Sequence, residues 1–333
     1  MGGTCVLMDP MSFVLKPLRW LSLISQYQAT TSGGPNFAYK LCTEALLSHD
    51  DLELDLSSWS LAFVGSETVR KDTLVAFSEA AARYRFNKNA LYPCYGLAEA
   101  SLFVSGGFYS NDTTPHEHPE KFKTPEQVSC GKPANGIELI IVDPLTRQLC
   151  PPREVGEVWL SGSSISEGYF NKPKLNEQVF SAQLEDLQSE SKFLRTGDYG
   201  YLSEGELYVV GRLKDMMIIN GKNVYPEDIE SCIDICPHQR TGLQGTSAFS
   251  CDIESDEKLI VVQEVGKNTQ TTSIEKIKSD IKECIVGSFG VCPHEILIIK
   301  GRGLPRTSSG KIQRSKAKTM YLNGHFHSRQ TVE

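Results

Sequence analysis

The sequence has 333 residues, 40% of them hydrophobic, and a formal net charge of −7. This length suits one large domain or two domains with a sizeable core, and the acidic balance argues against a dedicated nucleic-acid-binding protein. The N-terminus lacks a signal-peptide pattern, and no apolar stretch reaches the ~20 residues of a membrane-spanning helix. We therefore expect a soluble, cytoplasmic protein with no membrane span.

The ten cysteines are scattered along the chain, and no CxxC pair occurs. This usage predicts free thiols in a reducing compartment. Cys232 and Cys236 are the closest pair and have the i, i+4 spacing of one helix face, with His238 nearby. A zinc site is the alternative interpretation, but the paired Cys/His spacing that is typical of zinc is missing.

The first 110 residues predict helices and loops followed by a strand–helix–strand unit. Residues 30–34 have the composition of a flexible loop, and Pro35 is suited to the first turn of a helix. Short apolar runs at 61–64 and 91–95 flank a segment with helical spacing over 69–84. This order predicts a parallel sheet with flanking helices.

The middle of the chain predicts a surface insertion and then a β-rich region. Residues 108–128 are polar, contain three prolines and show no period, which indicates an insertion or loop. Strand patterns follow at 137–142, 157–160 and 206–210, separated by turns rich in Gly and Pro.

A second, smaller unit begins near Leu213. Helical patterns cover 226–235 and 273–285, the latter with Ser273 as its cap, and strand patterns cover 258–265 and 295–299. The predicted organisation is therefore α/β, with a large domain over 1–212 and a small α+β domain over 213–333.

Two motifs follow the strands of the predicted parallel sheet, where ligands bind in open α/β folds. Gly65-Ser66-Glu67-Thr68 could let a flat ligand approach the backbone, or it could be a plain strand-to-helix turn. Tyr95-Gly96-Leu97-Ala98-Glu99-Ala100-Ser101 places an aromatic ring that can stack on a base beside a carboxylate that can hold Mg²⁺. Taken alone, Glu99 could instead be a solvated acid stabilised by a helix dipole.

Three further motifs lie toward the C-terminus. Arg195-Thr196-Gly197-Asp198-Tyr199-Gly200 places a carboxylate at a predicted tight turn, where it could accept two ribose hydroxyls or cap its own backbone. Gly211-Arg212-Leu213-Lys214-Asp215 has the pattern of a charged connector between domains. In Leu304-Pro305-Arg306-Thr307-Ser308-Ser309-Gly310-Lys311-Ile312, Lys311 can deliver a point charge, although the Gly spacing is not that of a P-loop.

The order of these motifs along the chain is more specific than any one of them. YGLAEAS, RTGDYG, GRLKD and PRTSSGK in this order resemble the superfamily of adenylate-forming enzymes, over nearly the whole chain. TSGGPNFAYKLC, YGLAEASLFVSGG and GRLKDMMIINGKNVYPEDIE are most similar to the fatty acyl-AMP ligases. The resemblance implies the adenylate-forming fold, with part of the large domain and a small mobile C-terminal lid domain.

The resemblance also implies substrates and partners. The family uses ATP and Mg²⁺ to join a fatty acid to AMP, and then passes the acyl group to the phosphopantetheine thiol of an acyl carrier protein. Closure of the lid delivers the catalytic lysine when the substrates are bound.

The implied site residues are carried over from the matching motifs. They are, by similarity, Gly65, Ser66, Glu67, Tyr95 and Gly96 around the adenine, Glu99 for Mg²⁺ and catalysis, Asp198 for the ribose hydroxyls, Arg212 for the ribose or phosphate, Lys311 between the acyl carboxylate and the α-phosphate, Lys214 as the hinge, and Asn36, Phe37 and Ala38 near the acyl chain.

One departure from the family concerns its Gly/Ser/Thr-rich phosphate loop, which belongs upstream of the point where this sequence begins. Without that loop, the sequence predicts weak or no adenylation by this chain alone. Two alternatives therefore remain: a non-catalytic binding module or split-enzyme half, and a long-chain acyl-CoA ligase. The acyl-CoA ligase remains open because the 108–128 segment is shorter than the insertion that the fatty acyl-AMP ligases carry at this place.

Overall fold

The computed structural model describes residues 2–110, 128–185, 192–219, 221–235, 243–253, 256–267, 269, 271–307 and 310–326. The chain forms two compact units and passes from the first to the second between Leu213 and Lys214. Most of the predicted insertion, residues 111–127, lies outside the described residues. Within the described ranges, no helix is long and apolar enough to cross a membrane.

The first sheet of unit 1 has five strands. In spatial order they are β1 (Thr31–Gly34), β2 (Leu61–Val64), β3 (Leu91–Leu97), β4 (Leu102–Gly106) and β5 (Lys132–Pro133). β1, β2 and β3 are parallel, which confirms the predicted strand–helix–strand arrangement, whereas β4 and β5 are antiparallel.

The prediction of a flexible loop at residues 30–34 was wrong, because β1 occupies most of it. β1 contains no large apolar side chain, so its sequence does not indicate a strand, and it forms by pairing with β2. Gly33 lies against the ring of Phe63, where a Cβ would come within 2.4 Å of Phe63 Cγ. The glycine therefore serves close strand packing and is not a sign of a loop.

Four helices accompany this sheet: α1 (Pro10–Leu15), α2 (Leu18–Tyr27), α3 (Asn36–Leu47) and α4 (Lys71–Ala82). Pro35 lies just before α3, at the N-cap position, and not within the first turn as predicted. The core between the helices and the sheet is aromatic. Trp59 is fully buried there, and its ring centroid lies 5.2–6.2 Å from those of four other aromatic residues: Trp20, Tyr39, Phe77 and Phe86.

The second sheet of unit 1 is an antiparallel meander. It contains β6 (Ile137–Val142), β7 (Gly156–Gly162), β8 (Leu194–Ser203) and β9 (Glu206–Arg212), and α5 (Pro173–Phe180) lies between β7 and β8 in the chain. The predicted turn at RTGDYG was wrong, since all six residues lie within β8, a strand that pairs with both β7 and β9. The register of β8 against β9 shifts between Tyr199 and Gly200. A Cβ on Gly200 would come within 2.6 Å of Tyr208 O.

Unit 2 is a small α+β unit, as predicted. Its elements are β10 (Met217–Ile219), β11 (Lys222–Val224), α6 (Pro226–Ile235), β12 (Leu243–Ile253), β13 (Asp256–Val265), α7 (Thr271–Phe289), β14 (Glu295–Lys300) and α8 (Arg314–Leu322). The sheet order is β12-β13-β14. α6 and α7 pack on one face of this sheet through a core that includes Ile229 and Ile281, and α8 packs on the other through Ala317.

Two local predictions in unit 2 were wrong. Ser273 is the third residue of α7 and therefore does not cap it. Cys232 on α6 and Cys284 on α7 are joined by a disulfide, with their Cα atoms 6.6 Å apart, instead of being free thiols. The two cysteines are 52 positions apart in the sequence, with no local sign of the pairing, which arises because the two helices pack side by side. Cys236, the predicted neighbour of Cys232, lies outside the described residues.

The aromatic core of unit 1 should be sensitive to the loss of Trp59. We expect Trp59→Ala to lower the free energy of unfolding by about 3–5 kcal/mol, because it leaves a large cavity among four rings. Denaturant unfolding measures this change. Leu145→Ala is the matched control, since Leu145 is 92% exposed, and an equal effect of the two substitutions would contradict the assignment of Trp59 to the core.

Candidate functional site

A buried carboxylate joins the two sheets of unit 1. Asp198 on β8 is 5% exposed. The hydroxyl of Tyr95 on β3 donates to its Oδ2 at 2.6 Å, and Nε of Arg212 at the end of β9 lies 3.0 Å from its Oδ1. The structure thus brings together three of the residues predicted from three separate motifs.

The protonation of this cluster depends on its two donors. Burial raises the pKa of Asp198, while the hydrogen bond from Tyr95 and the charge of Arg212 act in the opposite direction. Burial also raises the pKa of Tyr95 well above its usual value, so that its hydroxyl remains a donor. Each carboxylate oxygen has a second lone pair, and an ionised Asp198 could therefore accept hydrogen bonds from a ligand with two adjacent hydroxyls.

A second buried carboxylate supports β8, and sequence reasoning missed it. Glu157 on β7 is 2% exposed and accepts from Arg195 at 2.7 and 2.9 Å, from the Gly197 backbone N–H at 3.1 Å and from Trp159 Nε1 at 3.0 Å. These bonds hold the strand on which Asp198 lies. The signal that could have identified Glu157 is that it is the single acidic residue in the largely apolar strand β7.

The two predicted glycines have structural reasons of their own. A Cβ on Gly65 would come within 2.8 Å of Cys94 O, and a Cβ on Gly96 would come within 1.7 Å of Leu102 O. Both residues therefore allow neighbouring backbone to approach β3 closely. Ser66 follows Gly65 with a φ of 68°, which turns the chain sharply after β2.

Hydrogen bonds join the segments that follow β1 and β2. Glu67 Oε1 accepts from the backbone N–H of Phe37 at 2.7 Å. The Asn36 side chain accepts from the Arg70 N–H and donates to Thr73 Oγ1, both at 3.1 Å. Glu67 and Asn36 thus fix the beginning of α3 against the beginning of α4, at the carboxyl edge of the parallel strands.

The three residues predicted near an acyl chain lie together at the start of α3. Ala38 is 5% exposed and belongs to the core of unit 1, whereas Phe37 is partly buried and packs against that core. Their contact with an acyl chain stays a prediction.

Glu99 lies in a single 3₁₀ turn, Ala98–Ala100, and is half-buried. The Tyr169 hydroxyl donates to Glu99 Oε1 at 2.6 Å, and this bond raises the pKa of Tyr169 to about 12. The Glu99 carbonyl also accepts from the Ser166 N–H at 2.8 Å. Glu99 is therefore held in place and not loosely solvated, and no sequence feature identified Tyr169 as its partner.

The site offers few ligands to a metal ion. Over the described ranges, no group of three or more His, Cys, Asp or Glu side chains could hold one. Mg²⁺ is commonly bound by one or two carboxylates together with substrate phosphates and water. A single oriented carboxylate such as Glu99 fits that form of binding.

The remaining predicted residues, Lys214 and Lys311, belong to unit 2. Lys214 lies in the 3₁₀ turn Leu213–Asp215. Lys311 is half-buried in a short closed turn, in which the Thr307 N–H donates to its carbonyl at 2.8 Å and its own N–H donates to Thr307 Oγ1 at 3.1 Å. Gly310, just before it, has a φ of 93°.

Removal of the Tyr95 hydroxyl tests the electrostatics of the buried cluster. That hydrogen bond favours the carboxylate form of Asp198, so we expect the pKa of Asp198 to rise further in Tyr95→Phe. Carbon-13 NMR of the labelled aspartate carboxyls measures it. Tyr92→Phe, a change on the same strand, is the control, and an unchanged or lower pKa of Asp198 in Tyr95→Phe would contradict the hydrogen bond.

Comparison with known proteins finds similar sequences among fatty-acid ligases. The chain is 38% identical to the medium-chain-fatty-acid–[acyl-carrier-protein] ligase JamA of Moorena producens, over 97% of this chain and 57% of that protein. It is 34% identical to the corresponding ligase TtuA of Teredinibacter turnerae, over 95% of this chain and 52% of that protein. The chain therefore spans little more than half the length of these relatives.

Solved structures show the same similarity. A fatty acyl-adenylate ligase of Legionella pneumophila, in complex with acyl adenylate and pyrophosphate, is 36% identical, with a TM-score of 0.59 over 94% of this chain and 57% of that one. The structure of McyG bound to phenylalanyl-adenylate is 30% identical, with a TM-score of 0.80 over 95% of this chain and 47% of that one. The predicted adenylate-forming fold is thereby confirmed. The model of the AMP-binding enzymes matches residues 1–170, about half of the sequence, and the chain belongs to this family.

Proposed function

We propose that this chain takes part in the ATP-dependent activation of a fatty acid as an acyl-adenylate, followed by transfer of the acyl group to an acyl carrier protein. The observation that carries the proposal is the buried Asp198 carboxylate, oriented by Tyr95 and Arg212. It lies in a member of the AMP-binding family whose relatives include ligases named for medium-chain fatty acids and acyl carrier protein.

Asp198 is suited to hold the ribose of the nucleotide. An ionised carboxylate with two fixed donors can accept both ribose hydroxyls, and hydrogen bonds to a charged acceptor are worth about 1.5–3 kcal/mol each. Arg212 is half-exposed beside it, which leaves its guanidinium able to reach a ribose or phosphate oxygen. The rings and backbone around Tyr95, Gly96 and the Gly65-Ser66-Glu67 turn are the proposed surroundings of the adenine.

The chemistry brings two anions together. A fatty carboxylate oxygen attacks the α-phosphorus of ATP, the bond to pyrophosphate breaks, and the products are acyl-AMP and pyrophosphate. Mg²⁺ on Glu99 would offset the phosphate charge, and Lys311 would offset the charge that develops between the acyl carboxylate and the α-phosphate. Lys214 is the proposed hinge, and Asn36, Phe37 and Ala38 are the proposed contacts of the acyl chain.

In the second step, the phosphopantetheine thiolate of the carrier protein attacks the acyl carbonyl. AMP leaves, and a thioester forms. Coenzyme A ends in the same thiol, and a relative that is 33% identical is named a putative fatty-acid–CoA ligase. Coenzyme A is therefore the second candidate acceptor.

Formation of acyl-AMP tests the proposal. In keeping with the weak adenylation predicted for this chain alone, we expect the folded chain to form dodecanoyl-AMP and pyrophosphate only slowly from ATP, Mg²⁺ and dodecanoate. We expect Lys311→Ala to slow this by a further factor of about 10²–10³, because it removes a preorganised charge. Mass spectrometry of acyl-AMP measures the product. Lys316→Ala, an exposed lysine on α8, is the matched control and should retain the wild-type rate.

Three results would contradict parts of the proposal. Equal rates for the wild type and Lys311→Ala would exclude the role of Lys311. A folded chain that binds preformed acyl-AMP but forms none would be a binding module and not a ligase. Consumption of added coenzyme A in preference to a carrier protein would replace the proposed acceptor.

A further inference from the structure

Unit 2 contains a fully buried carboxylate to which the proposed chemistry assigns no role. Glu264, near the end of β13, is 0% exposed. Its Oε1 accepts from the backbone N–H groups of Gly303 and Leu304, both at 2.7 Å, and from Arg306 Nη1 at 3.0 Å, while Arg306 Nη2 pairs with its Oε2. A charge so deeply buried is tolerated only when it is fully paired.

All of these donors belong to one segment, residues 303–306, which leads from β14 to the turn of Lys311. The carboxylate therefore binds the backbone of this segment as well as its arginine. Because a bidentate arginine pair has a defined orientation, the Glu264–Arg306 pair fixes both the position and the direction of the chain at Arg306.

Arg306 is connected to Lys311 by short-range pairing. Arg306 and Ile312 form an antiparallel bridge, and Gln313 N–H donates to the Pro305 carbonyl at 2.9 Å. Lys311 lies within this small closed loop, opposite Thr307. A shift of the Arg306 backbone would therefore move the backbone of Lys311.

The neighbouring strand is shaped around the same ion pair. A Cβ on Gly245 of β12 would come within 2.7 Å of Arg306 Nη2 and 3.0 Å of Glu264 Oε2. The register of β12 against β13 also shifts between Leu243 and Gly245. A side chain at position 245 would therefore collide with the guanidinium of Arg306, and glycine leaves the space that the ion pair occupies.

We propose that Glu264 is a positioning residue that acts through Arg306 to hold the Lys311 turn in its reactive placement. This inference rests on the role proposed above for Lys311. Glu264 does not touch substrate in it. A merely structural role would affect the stability of the whole of unit 2, whereas a positioning role affects the turn and the rate of the step that Lys311 assists.

Glu264→Gln separates these two roles. The glutamine has nearly the same shape, and its carbonyl oxygen can still accept from Gly303 and Leu304, but its amide NH₂ faces the guanidinium of Arg306. We expect acyl-AMP formation to fall about 10²-fold in kcat, because small misplacements of a catalytic group cost this much. The KM values for ATP and the fatty acid should change little. Arg306→Lys keeps the charge but loses the bidentate geometry. Its kcat should lie between those of the wild type and Glu264→Gln.

The matched control is Glu257→Gln. Glu257 lies on the same strand and accepts from Ile218 N–H at 2.9 Å and from Ser250 Oγ, and neither of these partners belongs to residues 303–306. The same chemical change on β13 should therefore leave kcat at its wild-type value.

Hydrogen exchange supplies a readout that does not depend on activity. In Glu264→Gln, we expect the Lys311 amide to exchange at least about tenfold faster while the amides of β13 and β14 are unchanged, since opening is confined to the turn. Faster exchange throughout unit 2, or an unchanged Lys311 amide, would overturn the positioning role. If the wild type forms no acyl-AMP, the proposed function fails, and the exchange result alone decides whether Glu264 holds the turn.

Discussion

The buried carboxylate of Asp198 is the contact on which the organisation of unit 1 depends. It receives a hydrogen bond from the parallel sheet through Tyr95 and an ion pair from the meander through Arg212. Without these donors, its burial would favour the neutral acid. The same two bonds that connect the sheets therefore also favour the charged form of this acceptor at their junction.

The same device recurs beside other motifs of the chain. Glu157 pairs with Arg195 and binds the Gly197 N–H beneath RTGDYG, and Glu264 pairs with Arg306 and binds two N–H groups ahead of Lys311. In both cases a buried carboxylate pairs with an arginine and accepts hydrogen bonds from backbone N–H groups. Such pairs add little net stability, but they orient the chain, which is what a site built on loops and strand ends requires.

The sequence predicted those elements whose signal is local. β2, β6 and α6 have the predicted bounds because apolar runs and helical spacing end at Gly, Pro or polar residues. Prediction from the sequence failed where a strand forms only through pairing with segments that are distant in the sequence. β1 and the RTGDYG segment of β8 are rich in small or polar residues and become strands through their neighbours. The motifs singled out Tyr95, Asp198 and Arg212 for a nucleotide site, but they did not predict the contacts among these side chains. Tyr169, Glu157 and Glu264 escaped prediction because their partners lie 38 to 70 residues away in the sequence.

Ribose recognition by Asp198 is the central claim, and calorimetry of a non-hydrolysable fatty acyl-adenylate analogue and its 2′,3′-dideoxy form tests it most directly. For the wild type, loss of both hydroxyls should weaken binding by at least about 10²-fold, as expected for two hydrogen bonds to a charged acceptor. In Asp198→Asn, the two ligands should differ by much less, because the charged acceptor is gone. An equal loss in both proteins would contradict the assignment of Asp198 to the ribose.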